Sequence, residues 1–199
     1  GFGKYIQNPI NQVTVASATN DISWVNSGER DIGLGIEGEW RKNIISRENN
    51  TTGEKTNLGF GLNVSYLHTT QDLDTEKVIN ENPGISVAFT NKDSRLTGAS
   101  DLLVNSDISF NKDFKNDKSL TATLAGGYFS DRIYALGVTG KGDLVDSEVI
   151  TLDFVLKYKI NKNIGFGFSA KNLTNPTIER TQDIQNVVVD SYKKGRNFS

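Results

Sequence analysis

The stretch Val149-Ile150-Thr151-Leu152-Asp153-Phe154-Val155-Leu156-Lys157-Tyr158-Lys159 places a large apolar residue at every second position. Side chains of a β-strand project to opposite faces with a period of two. Ile150, Leu152, Phe154, Leu156 and Tyr158 therefore form one face, and Val149, Thr151, Asp153, Val155, Lys157 and Lys159 form the other. Strict alternation over this length is the pattern of a strand with one apolar and one wet side.

The same alternation recurs along the chain and predicts about eight strands with little helix. Residues 32–41 set Ile32, Leu34, Ile36, Gly38 and Trp40 against Gly33, Gly35, Glu37, Glu39 and Arg41. Residues 58–67 set Leu58, Phe60, Leu62, Val64 and Tyr66 against Gly59, Gly61, Asn63, Ser65 and Leu67. Further strands follow over 102–110, with Asp107 on the polar side, over 120–128, and over 164–171, where Phe166 and Phe168 oppose Gly165, Gly167 and Lys171. Residues 2–7 form a first strand without a clean register, since Lys4 disturbs one face and Tyr5 with Gln7 blurs the other. An eighth begins near Arg196. No Lys or Arg is expected on the apolar face of the second to seventh of these segments.

Composition narrows the classes. The chain has 199 residues, 36% of them hydrophobic, and no apolar run approaches the ~18 residues of a membrane helix. A transmembrane barrel is still allowed, because half of every barrel strand is polar. A net charge of −2 and the lack of a basic stripe argue against nucleic acid as a partner. Cysteine is absent, which excludes disulfides and thiolate metal sites. Methionine is also absent and no signal segment precedes Gly1, so the chain is expected to be a processed or excised fragment.

Connections are expected to alternate in length. Residues 111–118 and 161–163 are short; residues 70–93, 131–146 and 175–194 are long. Trp40, Phe110 and Tyr158 fall on the apolar face just before short turns, and Tyr66 and Tyr128 lie toward the other end. Short turns at one end, long loops at the other and two aromatic girdles are the habit of an outer-membrane barrel. The polar connection over 42–56 is long where a short turn is wanted. A soluble antiparallel sandwich also alternates inside and outside, and is the plain alternative.

Motifs that could carry chemistry read as structural. Gly33-Leu34-Gly35-Ile36-Glu37-Gly38 spells a dinucleotide fingerprint, but the segment continues as strand instead of opening a helix, so no cofactor is expected. Glu37 and Glu39 share a face near Arg41; in a wide barrel these are lumen-facing charges, together with Asp107, Asp153 and Lys171. His68 is the sole histidine and lacks a triad or zinc partner set, so no catalysis is expected. Asp72, Asp74 and Glu76 have a faint calcium-loop spacing without its glycine and remaining ligands, which favours a solvated loop. Trp24, Tyr134 and Tyr192 lie in or beside long loops and are candidates for ligand contact.

Several segments resemble the C-terminal part of the barrel of TonB-dependent outer-membrane receptors, of the kind common in Bacteroidota. They are Tyr5-Ile6-Gln7-Asn8-Pro9-Ile10, then Val25-Asn26-Ser27-Gly28 followed by Gly35-Ile36-Glu37-Gly38-Glu39. Leu96-Thr97-Gly98-Ala99-Ser100 leads to Asn105-Ser106-Asp107-Ile108-Ser109. Lys171-Asn172-Leu173-Thr174-Asn175-Pro176 is similar to the segment that closes the penultimate strand, and Tyr192-Lys193-Lys194-Gly195-Arg196-Asn197-Phe198-Ser199 to the start of the last. The resemblance runs over nearly the whole chain. It implies an all-β, antiparallel transmembrane barrel segment, about eight strands of roughly 22, located in the Gram-negative outer membrane. The implied partners are membrane lipid, a plug domain of the same full-length chain, TonB through a missing N-terminal region, and a scarce small nutrient such as a siderophore, cobalamin, glycan or peptide. No catalytic, cofactor or metal residue is implied. The competing expectations are a complete eight-stranded barrel acting as an adhesin or structural protein, and a soluble β-sandwich that binds a ligand.

Overall fold

The computed structural model describes residues 1–16 and 21–199, and it is almost entirely antiparallel β. The strands are β1 (Phe2–Gln7), β2 (Ile10–Thr14), β3 (Ile22–Asn26), β4 (Arg30–Glu48), β5 (Lys55–Asp72), β6 (Asp93–Ser94), β7 (Leu102–Asp113) and β8 (Ser119–Phe129). They continue with β9 (Arg132–Ala135), β10 (Leu144–Asp146), β11 (Val149–Lys159), β12 (Gly165–Lys171), β13 (Thr177–Gln182), β14 (Val187–Lys193) and β15 (Asn197–Phe198). One helix, α1 (Thr75–Glu81), is capped by Asp74, whose carboxylate accepts the Lys77 N–H at 2.9 Å.

Eight strands make one meandering sheet in the order β1-β4-β5-β7-β8-β11-β12-β15, with β6 added to β5. The edges β1 and β15 do not pair with each other, so this sheet is open and is not a closed eight-stranded barrel. Chain direction puts the turns 49–54, 114–118 and 160–164 at one end, and the connections 8–29, 73–101, 130–148 and 172–196 at the other. The latter carry structure of their own: the β2–β3 hairpin, α1, and a four-stranded sheet in the order β14-β13-β10-β9.

Residues directly opposed in an antiparallel pair share a face, and the register aligns the predicted apolar faces across the sheet. Phe60, Ile108, Leu124, Phe154, Ala170 and Phe198 form one such row. Ile36 and Phe166 on this face are 66% and 65% exposed, and no second layer covers it among the described residues. The main buried apolar cluster lies instead among the long connections, where Val13, Val25, Val78, Val87, Ile133, Leu136 and Val138 pack together.

Three sequence expectations change. The connection 42–56 is not a long loop: β4 runs on to Glu48 and β5 starts at Lys55, because the backbone ladder continues where the side chains turn polar. A register shift between Asn43 and Ile45 brings Ile45 opposite Leu58, back to the apolar face. Asn49 then closes the turn, its side chain accepting from the Thr51 and Thr52 amides at 3.0 and 3.2 Å.

The apolar face is also not free of charge. Lys42 stands opposite Phe60, and Lys112 opposite Leu120, because β4 and β7 extend past their predicted ends. Each lysine follows an aromatic, Trp40 or Phe110, by two residues toward the short-turn end, where a long side chain can lift its ammonium away from apolar surroundings. The register of β1 is resolved as well. Gly3 and Tyr5 pair with Leu34 and Ile32 on the apolar face, while Phe2 and Lys4 share the polar face with Gly35 and Gly33. The Phe2 ring lies where a Cβ on Gly35 would be, so a larger residue there would have to push the ring aside.

Candidate functional site

The polar face gathers the charged residues singled out in the sequence. Glu37, Glu39 and Arg41 stand opposite Ser65, Asn63 and Gly61. Asp107 is opposite both Gly61 and Ala125, and Asp153 is opposite Ala125 from the other side. Lys171 follows Ala170, which pairs with apolar Phe154, and so turns to this same polar side. Asn63 donates to Glu37 at 2.8 Å, and Arg41 donates to Glu39. A hollow of about 160 Å³ lies among Glu39, Arg41, Asn63, Asn105 and Asp107.

At the long-connection end the polar face meets the four-stranded sheet, and a cleft of about 440 Å³ opens between them. Phe129, Val149, Thr151, Asp153 and Lys171 form its sheet side; Arg132, Asp146, Pro176, Ile178, Tyr192 and Lys194 form the opposite wall. Tyr192, Asp153 and Lys171 are thus brought together. Trp24 is not near them: it lies on β3 opposite Gln12 and is 61% exposed. Tyr134 is under the Arg180 guanidinium, 3.2 Å from ring centroid to the guanidinium carbon, a cation–π contact that braces β9 against β13.

The carboxylates of the cleft are occupied. Nearly buried Asp146 accepts from Arg180 Nε at 2.7 Å and pairs with Arg132 at 3.3 Å. Asp153 accepts the Asn172 N–H at 2.7 Å. Asn172 and Asn175 adopt left-handed φ values of 57° and 45°, which turn the chain sharply after β12. The Asn172 amide donates to the Gly195 carbonyl at 2.7 Å, the Gly195 N–H donates to Asn175 Oδ1 at 2.9 Å, and Arg196 Nε donates to the Leu173 carbonyl at 2.8 Å. This clamp holds the chain on both sides of the β13–β14 hairpin together, and so builds one wall of the cleft.

A second junction ties the hairpin β2–β3 to the sheet. Fully buried Asn11 donates to Ser27 Oγ at 2.7 Å and Gln71 Oε1 at 2.6 Å, and accepts from Thr97 Oγ1 at 2.6 Å. Gln71 donates onward to the Arg95 carbonyl at 2.8 Å. Gly28 lies against the Asp72 carbonyl so closely that a Cβ would collide with it. Asp72 pairs with Arg30 at 2.6 Å and Asp74 caps α1, so both have structural partners; Glu76 lies in the first turn of that helix. Gly33, Gly35 and Gly38 all lie within β4. His68 stands on the apolar face opposite Leu34, two residues beyond Tyr66.

Arg132, Asp146 and Arg180 were missed in the sequence. Their separation hides them: β9, β10 and β13 are too short to show a period, and their pairing is a property of the fold. Asn172 and Lys194 lie in turn-like stretches whose local sequence carries no sign of their roles. No family model matches the chain, and no curated protein or solved structure matches it at a significant level.

Proposed function

We propose that the chain is part of the barrel wall, with its ligand-facing loops, of a TonB-dependent outer-membrane receptor. In this reading the apolar face meets lipid, the polar face lines a lumen filled by a plug domain, and the long connections face outward to take up a scarce nutrient. TonB, engaged by a region outside these residues, drives uptake. The reading assigns no catalytic residue and no cofactor.

The observation that carries the proposal is the path of the aromatics across the sheet. Trp40 on β4 lies in the row of Leu62 on β5. Phe110 on β7 lies in the row of Leu58, and Tyr158 on β11 lies in the row of Leu120 and Lys112, which continues to Thr56. The line therefore steps toward the short-turn end at each move across the sheet. At the other girdle, Tyr66 on β5 and Tyr128 on β8, which lies in the row of Val64, step in the same direction. Barrel strands tilt by roughly 35–45°, so a line of constant membrane depth must cross the hydrogen-bonded rows obliquely. Between the lines, Leu102 to Phe110 is about the nine to eleven residues a tilted strand needs to cross the apolar core.

A soluble sandwich would bury this face beneath a second sheet, whereas Ile36, Trp40, Leu124, Ile150 and Phe166 are exposed. The test is to express the full-length protein in a Gram-negative host and follow its fractionation and heat-modifiable mobility, with growth on candidate nutrients in strains with and without TonB. Outer-membrane recovery with TonB-dependent growth is expected. A monodisperse, detergent-free monomer would overturn the membrane reading, and uptake that persists without TonB would overturn the coupling.

A further inference from the structure

We infer that the cleft between β8–β11–β12 and the β13–β14 hairpin binds a small anionic molecule with an apolar body, its negative group held by Lys171 and Lys194. The inference rests on the receptor reading above and names the ligand class it would serve. At about 440 Å³ the cleft falls within the ~300–1,000 Å³ of small-molecule sites, and it combines apolar surface with polar and charged side chains. Phe129, Val149, Pro176, Ile178 and Tyr192 supply the apolar surface.

The sign of the ligand follows from which charges are already met. Asp146 is held by Arg132 and Arg180, whereas Asp153 accepts only the neutral Asn172 backbone N–H and keeps its charge; Arg132, Lys171 and Lys194 still outnumber the two carboxylates that line the cleft, which leaves it net positive. Lys171 and Lys194 have no carboxylate in salt-bridge range among the described residues. The hydrogen bond from the Asn172 side chain to the Gly195 carbonyl ties together the two segments that carry these lysines, each the residue before one of the bonded pair. Two exposed lysines on the lining of a cleft with net positive charge favour an anion there. Asn172 and Gly195 of the clamp also line the cleft, and Tyr192 adds aromatic contact area at little entropic cost.

The experiment uses the full-length protein in lipid nanodiscs and two probes, a trifluoromethyl-substituted benzoate and its uncharged amide, titrated by fluorine NMR. The benzoate is expected to bind at least about tenfold more tightly than the amide. Lys171→Gln with Lys194→Gln should abolish that difference while leaving amide binding unchanged. Tyr192→Ala should weaken both probes, and Lys115→Gln, at the short-turn end, should change neither. Equal binding of the two probes, or full selectivity in the double variant, would overturn the inference. Circular dichroism of each variant guards against misfolding. Fractionation of the same protein separates the two claims: a membrane-inserted protein without charge selectivity refutes the cleft assignment alone, whereas a soluble protein with it refutes the receptor reading alone.

Discussion

Asn11 contacts Ser27, Gln71 and Thr97 through one fully buried amide, and those partners belong to three different segments of the long-connection end. Removing it takes one partner from each of them, Ser27 still donating to Gln71 at 3.2 Å, and a buried polar group left unpaired costs roughly 1–3 kcal/mol. Asn11→Leu, close in volume, should therefore destabilise this end by about 1–3 kcal/mol. Hydrogen exchange should show faster opening at Thr97 and at β2, with the β7–β8–β11 ladder unchanged. Asp143 makes a second residue-scale case. Burial pushes its carboxyl above the usual carboxylate range, opposed by the hydrogen bond from the Gly137 N–H at 2.7 Å, and the charge of Asp183 adds to the rise. A carboxyl raised on folding binds its proton more tightly in the folded state. Its stabilising contribution is complete below the unfolded value and is lost as pH rises through the raised folded value. Asp143→Asn keeps an acceptor for Gly137 and should flatten this dependence, read from the Asp183 amide, which donates to the Asp143 carbonyl at 2.9 Å. Wild type and variant must be compared at each pH; equal slopes would refute the assignment.

At the scale of elements, the segment after β12 works as a clasp, and its two asparagines have separable duties. The left-handed backbone at Asn172 disfavours most side chains by about 1–2 kcal/mol. Its amide also holds the Gly195 carbonyl. Asn172→Gly should lose only the side-chain bond, while Asn172→Ala should lose the bond and strain the turn. Limited proteolysis within 183–196 is expected to accelerate in both, more in the alanine variant; the reverse order would show that backbone conformation does not matter there. Reading this region from sequence succeeds and fails for physical reasons. Asn and Pro between two strands announce a turn, but the partner at Gly195 is far along the chain and is found only once β13 and β14 fold back. The centres of β4, β5, β7, β8 and β11 were legible because an alternating pattern repeats over many residues. Their ends were not, since hydrogen bonding continued through Lys42 to Glu48 after the alternation had stopped. Tyr192, Asp153 and Lys171 could each be picked out as exposed or polar-facing, yet their meeting in one cleft depends on a register that no local pattern encodes.

For the whole molecule, the decisive property is that neighbouring residues of one strand face two different surroundings. Leu124 lies on the apolar face between Ile108 and Phe154, and Ala125 lies on the polar face between Asp107 and Asp153. In a membrane wall these adjacent positions must respond oppositely to the same substitution. Leu124→Lys puts an ammonium among lipid chains, at a cost of roughly 2–4 kcal/mol near the bilayer midplane. Ala125→Lys puts it between two carboxylates on the wet side, where opposite charges across a strand pair are favourable. The expected result is a fall in the outer-membrane level and in the thermal stability of Leu124→Lys, with Ala125→Lys close to wild type. If the exposed apolar face met water instead, Leu124→Lys would relieve an apolar patch and improve solubility at little cost to the fold. The sign of the Leu124→Lys effect therefore distinguishes lipid from water as the neighbour of this face, without knowledge of the ligand.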